Sequence, residues 1–185
     1  MADDTFEMAV KALREGGVIA YPTEAVYGFG CDPNNETAIQ KILTIKQRPP
    51  DKGLILIAAT IEQIEPFVAP LSAQQRHYLQ TVWPGPVTFL MPVREGVSPL
   101  LTGKHQSLAV RVSGHPLVID LCQAFDGAIV STSANRSGDE PARTSEESKQ
   151  MFAGQIDVIV EGETGGQDRP SEIRDLISGA VIRPG

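Results

Sequence analysis

The chain is poor in the residues that build several familiar kinds of site. Of its 185 residues only two are cysteine, Cys31 and Cys122. They stand far apart, form no CxxC pair and have no histidine at ligand spacing, so no thiolate metal site or redox pair can be read from them. Both read as ordinary buried thiols. The three histidines, His77, His105 and His115, share neither ligand nor triad spacing, and no metal-ligating residue is assigned. Aromatic residues make up 5% of the chain, too few to lay out a stacking platform for single-stranded RNA. No apolar run approaches the roughly 20 residues needed to cross a bilayer. The opening Met1-Ala2-Asp3-Asp4 is acidic where a secretory signal is basic, so a cytoplasmic location is expected. The Gly-rich segments Tyr27-Gly28-Phe29-Gly30 and Glu163-Thr164-Gly165-Gly166 match neither GxxxxGK[ST] nor GxGxxG. Positive charge is also short: 16 Lys and Arg against 23 Asp and Glu leave a net −7, which argues against bulk affinity for nucleic acid.

What is present is enough for one domain over residues 1–185, since that length buries a full core and no polar or low-complexity linker divides it. Asp4 or Thr5 can cap a helix from about Phe6 to Glu15, ended by Gly16-Gly17. A strand passes through Ile19. A second helix starts after Asn34 or Asn35, buries Ala38, Ile39, Ile42 and Leu43, and stops at Pro49-Pro50, leaving Lys46 and Arg48 at its solvent-facing end. Leu54 to Ile57 reads as a buried strand, Ser72 to Val82 as a helix, and Val87 to Met91 and Leu108 to Val112 as strands. A helix runs from His115-Pro116 to about Phe125, followed by a strand at Ala128, a helix near Ser145 to Phe152, and strands near Ile156 to Val160 and Ala180 to Ile182. Strands and helices without strict βαβ alternation predict an α/β fold: a twisted, open, mixed parallel and antiparallel sheet with flanking helices.

Polar residues collect where two apolar strands end. Ala128-Ile129-Val130 breaks into Ser131-Thr132-Ser133-Ala134-Asn135, and Val18-Ile19-Ala20 runs into Tyr21-Pro22-Thr23-Glu24. Ligands of open α/β sheets sit beyond strand ends, so the two blocks point to one cleft. The Ser, Thr and Asn groups suit a ribose, a phosphate or an amino acid, and equally suit caps and turns. Lys46 and Arg48 can both face a triphosphate if the helix has unwound there, or can simply complement the helix dipole. Arg111, between Val110 and Val112, is either an outward strand residue or a partly buried cation awaiting a carboxylate. Trp83 can stack a base, although a buried turn anchor is the commoner fate of a lone Trp.

Several motifs are jointly far more specific than any one of them: Tyr21-Pro22-Thr23-Glu24-Ala25-Val26-Tyr27-Gly28, Lys46-Gln47-Arg48-Pro49, Trp83-Pro84-Gly85-Pro86-Val87-Thr88, Leu108-Ala109-Val110-Arg111-Val112, Ser131-Thr132-Ser133-Ala134-Asn135-Arg136-Ser137-Gly138 and Ile182-Arg183-Pro184-Gly185. In this order they resemble the YrdC/TsaC family of threonylcarbamoyl-AMP synthases, in its short single-domain form. The resemblance implies a YrdC-like fold and a reaction of L-threonine, bicarbonate or CO₂ and ATP, giving threonylcarbamoyl-AMP and pyrophosphate for tRNA modification at adenosine 37. It implies Lys46 and Arg48 as the catalytic pair on the phosphates. Lys52, Asn135, Arg143, Thr144 and Arg183 complete the ATP site, and Thr23, Ser133 and Ser171 surround threonine. Arg111 matches the threonine carboxylate by its bidentate geometry. Mg²⁺ is expected on the ATP phosphates with most of its waters. Many longer relatives carry Asn where Lys52 stands and His where Ile57 stands, and both positions are expected to border the site. The implied partners are the small-molecule substrates and the downstream threonylcarbamoyl-transfer proteins TsaB, TsaD and TsaE, with no membrane. The alternative reading is a maturation factor that binds double-stranded RNA or tRNA. A third, carbamoyl-adenylate chemistry as in hydrogenase maturation proteins, requires accessory domains this chain lacks.

Overall fold

The computed structural model describes residues 2–185. Its elements follow in the order α1 (Ala2–Arg14), β1 (Ile19–Pro22), β2 (Tyr27–Gly30), α2 (Glu36–Lys46), β3 (Ile55–Ala58), α3 (Ile61–Ile64), α4 (Ala73–Val82), β4 (Val87–Pro92), α5 (Pro99–Thr102), β5 (Ser107–Val112), α6 (Pro116–Phe125), β6 (Ile129–Ser133), α7 (Ser145–Phe152), β7 (Val158–Ile159), β8 (Glu172–Asp175) and β9 (Val181–Arg183). The strands form one nine-stranded sheet in the order β7-β1-β2-β6-β3-β5-β4-β8-β9. Three pairings are parallel, β1 with β7, β3 with β5 and β4 with β8, and the other five are antiparallel. The mixed sheet expected from the sequence is what the chain builds.

Side chains alternate across this sheet as strand geometry requires. Phe29, Leu56, Phe89, Met91, Val110 and Val130 point to one face, where Ile39, Ile42 and Leu43 of α2, Leu79 of α4 and Phe152 of α7 close the larger core. Ile19, Tyr21, Ile57 and Ile129 point to the other, where Ala9 and Leu13 of α1 meet Val118, Leu121 and Cys122 of α6. The helices α1 and α6 cover only part of that second face. Beyond them it stays open, and Ile55, Ala109, Arg111, Ser131 and Ser133 line the hollow left there.

Local chemistry sets the helix ends. Asn35 caps α2 by accepting from the Ala38 N–H at 3.0 Å. At the other end Gln47 turns left-handed, at φ 52°, and the N–H groups of Gln47 and Arg48 bond back to Thr44 and Leu43. This closes the helix in a Schellman turn before the prolines are reached. Ser72 and Gln75 form a capping box on α4.

Some boundaries differ from the sequence reading. The helix α1 begins at Ala2, so Asp4 and Thr5 lie within it; acidic residues such as Asp4 favour the positive helix start and continue the helix past the expected cap. Tyr27–Gly30, read as a Gly-rich segment, is a strand, and β6 carries its polar block inside the strand as far as Ser133. The short elements α3, α5 and β8 have no counterpart in the sequence reading. Ile57 is fully buried under α6 and does not border the cavity, because strand alternation turns it into the smaller core.

Candidate active site

The open part of the second sheet face is a cavity of about 450 Å³. Its floor consists of strand positions two apart: Ser107, Ala109 and Arg111 on β5, Ser131 and Ser133 on β6, with Ile55, Leu90 and Ile173 alongside. The site therefore lies over the sheet face, whereas the sequence placed it beyond the strand ends. The two polar blocks do share it, since Thr23, Glu24, Ser131, Thr132 and Ser133 all line the wall.

Five cations line this cavity, Arg48, Lys52, Arg111, Arg169 and Arg183, against the single carboxylate of Glu24. In a chain of net charge −7, that concentration makes the hollow a built receptor for anions. The Schellman turn aims Arg48 into it, and Arg48 Nε donates to the Gly53 carbonyl at 3.2 Å. Burial holds the Arg48 guanidinium below the usual arginine range. Arg183 donates to the Ser171 carbonyl from Nη2 at 2.8 Å and from Nε at 3.2 Å. Burial first, and then the charge of Arg111, lower its pKa.

Arg111 and Glu24 form a buried pair, Nη2 to Oε2 at 3.3 Å, with both side chains 10% exposed. The carboxylate's other oxygen accepts from Ser113 Oγ at 2.7 Å. Arg111 is thus the partly buried cation of the two sequence alternatives. Its Nε is buried with no partner. A chain segment is strapped to the same corner: Gly165 N–H bonds the Thr23 carbonyl at 2.9 Å, Gln167 N–H the Glu24 carbonyl at 3.0 Å, and His115 Nε2 lies 3.0 Å from the Glu163 carbonyl. Thr23 makes the turn at this corner, its hydroxyl donating to the Val26 carbonyl at 2.7 Å, and still faces the cavity. Ser171 Oγ lies 2.9 Å from Thr88 Oγ1 in the opposite wall.

The sequence placed Lys46 in solvent at a helix end; the structure buries it at 2% exposure. Its Nζ donates to the Ser133 carbonyl at 2.5 Å, to Asn135 Oδ1 at 2.8 Å and to the Asn135 carbonyl at 3.1 Å. Burial, and secondarily the charge of Arg48, lower its pKa to about 8. Lys46 and Asn135 sit one hydrogen bond behind the wall formed by Ser133. Arg143 and Thr144 do not line the wall either. Thr144 caps α7 by accepting from the Glu147 N–H at 3.1 Å, and the Arg143 N–H donates to the Glu147 carboxylate. Trp83 is a turn anchor, its Nε1 donating to the Val87 carbonyl at 2.6 Å, and it does not reach the cavity. Sequence reasoning missed Glu24 as the counter-ion of Arg111, and Ser107, Ala109 and His105 as wall residues. The alternation Ser107, Ala109, Arg111 along one strand was the available signal.

No group of three or more His, Cys, Asp or Glu able to hold a metal occurs among the described residues. No described helix is long and apolar enough to cross a membrane.

A family model covering Sua5, YciO and YrdC, described as Telomere recombination, matches residues 11–185. The chain is 52% identical to the threonylcarbamoyl-AMP synthase of Photobacterium profundum over 98% of its own length and 100% of that protein's. It is also 52% identical to the threonylcarbamoyl-AMP synthase of Klebsiella pneumoniae, over 96% of this chain and 94% of that one. Among solved structures, P. abyssi Sua5 complexed with L-threonine superposes with a TM-score of 0.90 at 31% identity; the whole of this chain spans 55% of that one. E. coli YciO superposes at 0.83 with 27% identity, over 100% of this chain and 90% of that one. On these matches and this fold, the chain belongs to the Sua5/YciO/YrdC family.

Proposed function

We propose that the protein is a threonylcarbamoyl-AMP synthase, a nucleotidyltransferase that joins L-threonine, CO₂ or bicarbonate, and ATP for tRNA modification at adenosine 37. The observation that carries this reading is the anion receptor just described, five cations about one carboxylate, in a chain half identical to proteins of that name. Arg48, Lys52 and Arg183 receive the triphosphate, and Arg111 receives the amino-acid carboxylate with the part of its guanidinium that Glu24 leaves free. Thr23, Ser133 and Ser171 surround the amino acid. Arg143 and Thr144 are assigned to the nucleotide by the resemblance alone, since neither lines the cavity.

The neutral threonine amine adds to CO₂, giving a carbamate and a released proton. A carbamate oxygen then attacks the α-phosphorus, the bond to the β-phosphate oxygen breaks, and pyrophosphate leaves with its electron pair. Little covalent work falls to the protein, so positioning and charge neutralisation supply the catalysis. Arg48, Lys52 and Arg183 neutralise the charge that builds on the departing pyrophosphate. The cavity offers Mg²⁺ no free carboxylate, since Glu24 is held by Arg111 and Ser113. Mg²⁺ would therefore come with the nucleotide substrate and would supply charge neutralisation at its phosphates.

The test is pyrophosphate release by the purified protein with ATP, Mg²⁺ and bicarbonate, with and without threonine. Threonine-dependent release is expected, with serine a poorer substrate by the roughly 1–3 kcal/mol that one methyl group is worth. Release independent of any amino acid would overturn the proposal.

A further inference from the structure

Between Gly162 and Ser171 the chain crosses the Glu24 corner of the cavity without regular secondary structure. Its first end is fixed where the Tyr27 hydroxyl meets the Val160 and Gly162 carbonyls, each at 2.9 Å, and its far end where Ser171 Oγ lies 2.9 Å from Thr88 Oγ1. In between, Glu163-Thr164-Gly165-Gly166-Gln167-Asp168-Arg169 brings no large apolar side chain to bury. Glu163, Gly165, Gly166, Asp168 and Arg169 are exposed. Hydrogen bonds seat the segment: the Gly165 N–H on the Thr23 carbonyl at 2.9 Å, the Gln167 N–H on the Glu24 carbonyl at 3.0 Å, His115 Nε2 on the Glu163 carbonyl at 3.0 Å, and Arg169 Nη1 on the Gly185 carbonyl at 3.3 Å. A segment tied by a few bonds at the surface, with no apolar area beneath it, belongs to the low-stability end of a fold.

His115 is the side chain that reaches this segment from below. A carbonyl oxygen can only accept, so Nε2 carries the proton and the tautomer is fixed. The other ring nitrogen, Nδ1, is buried with no partner, in a residue only 9% exposed. The seated segment therefore leaves a polar atom unsatisfied, and lifting it opens the ring to water. Seating and lifting are thereby brought closer in energy. The His115 N–H also bonds Ser113 Oγ at 3.0 Å, Ser113 Oγ donates to Glu24 Oε1 at 2.7 Å, and Glu24 Oε2 lies 3.3 Å from Arg111 Nη2. One residue thus touches both the segment and the network that holds Arg111. Thr23 and Glu24, beneath the segment, are each 7% exposed, and a Cβ on Gly165 would come within 2.9 Å of the Glu24 carbonyl oxygen and 3.0 Å of its Cα. Gln167, Arg169 and Pro170 continue as cavity wall. A ligand touching that wall gains the contact only while the segment is seated, and so favours the seated state.

We propose that residues 163–169 form a strap that opens and closes over the amino-acid end of the cavity, with His115 as its latch: threonine exchanges when the strap lifts and is retained when it is seated. The amino acid's part in this rests on the synthase reading above. His115 does not line the cavity, so it is a positioning residue that acts through the strap. Hydrogen–deuterium exchange of the full chain reads the Gly165 and Gln167 amides directly. In ligand-free protein they are expected to exchange far faster than a sheet amide such as that of Val130, and saturating L-threonine to slow them about tenfold or more. His115→Ala removes the latch and keeps the backbone bond to Ser113. It is expected to speed both amides by about fivefold to tenfold, the weight of one hydrogen bond, and to raise the threonine dissociation rate by a like factor in stopped flow. His115→Gln, whose amide donates from nearly the same place, restores much of both. Gly165→Ala, which props the strap off Glu24, gives the same phenotype by an independent route, and at an exposed position it keeps a melting temperature close to native. Gly165 and Gln167 amides that exchange as slowly as Val130, or that answer to neither His115→Ala nor Gly165→Ala, would overturn the inference. Threonine that binds by calorimetry yet leaves both amides unmoved would overturn it as well. Native protein that binds no threonine, while the variants still loosen both amides, would instead remove the synthase reading and keep the moving strap.

Discussion

Lys46 and Arg48 are two residues apart and chemically alike, yet they meet different surroundings because Gln47 between them turns left-handed. Arg48→Ala removes a guanidinium whose one protein bond, to the Gly53 carbonyl, is easily replaced by water. ATP affinity is expected to fall about tenfold or more, with a denaturant midpoint close to that of the native protein. Lys46 contributes a pH signature of its own. Its folded pKa of about 8 lies below the ordinary 10.5, so the folded protein releases this proton first while the unfolded chain still holds it. Between those two values the unfolded state binds more protons, and the contribution of Lys46 to stability rises with pH. Unfolding curves of the native protein minus those of Lys46→Met are expected to climb from about pH 8 to about 10.5; a flat difference refutes the burial of the ammonium. Glu24 gives the largest stability effect. Glu24→Ala leaves Arg111 buried without its carboxylate and is expected to cost about 3–5 kcal/mol, and Glu24→Gln less, since the amide retains a bond to Ser113. Equal denaturation midpoints for Glu24→Ala and the native protein would show that the pair does not hold the corner. Of these residues, the sequence made Arg48 legible through its motif. It did not reveal the burial of Lys46, because its three acceptors lie 87 to 89 residues further along the chain.

Elements with strong local signals are legible in the amino-acid sequence itself. The stripe of Ala38, Ile39, Ile42 and Leu43, with Asn35 ahead of it, specifies α2 by periodicity and cap, and β5 is specified by its apolar run. The strand β2 is not legible in this way, because half of its four residues, Gly28 and Gly30, are poor strand formers. Its reason is tertiary. A Cβ on Gly30 would come within 2.7 Å of the Tyr21 ring and 3.0 Å of the Val130 carbonyl, and one on Gly28 within 3.2 Å of the Thr132 carbonyl. The glycines let the fully buried Tyr21 lie flat across the neighbouring strand and keep the cavity floor open beside Thr23. Gly30→Val, conservative by strand propensity, is therefore expected to destabilise the protein by about 1–3 kcal/mol through overpacking. An unchanged melting temperature would mean that Tyr21 has room to yield. The cavity's position on the sheet face is hidden for a related reason. Strand alternation shows which residues share a face, but only the reach of α1 and α6 decides how much of that face is covered.

The acid-rich chain and its cationic hollow together set which anions the molecule accepts. Arg48, Lys52, Arg111, Arg169 and Arg183 gather around Glu24, so the excess of Asp and Glu that makes the net charge −7 lies outside the cavity. A nucleoside triphosphate is small enough to sit inside with its phosphates among the cations. Those contacts, partly withdrawn from water, are screened less than contacts on an open surface. A nucleic-acid duplex carries its charge over tens of ångströms and must face the acidic exterior, where repulsion outweighs the few cations it can reach. Affinity for a non-hydrolysable ATP analogue is accordingly expected to fall only gently as salt is raised. For duplex RNA, fluorescence anisotropy is expected to show no binding tighter than about 10⁻⁴–10⁻⁶ M at physiological salt, the range of unspecific contact. Tight RNA binding that weakens by about 10³-fold or more between 50 mM and 200 mM salt would signify six or more phosphate contacts. The acidic exterior must then contain a cationic track outside this cavity, and the reading as an RNA-binding maturation factor would displace that of a small-molecule enzyme.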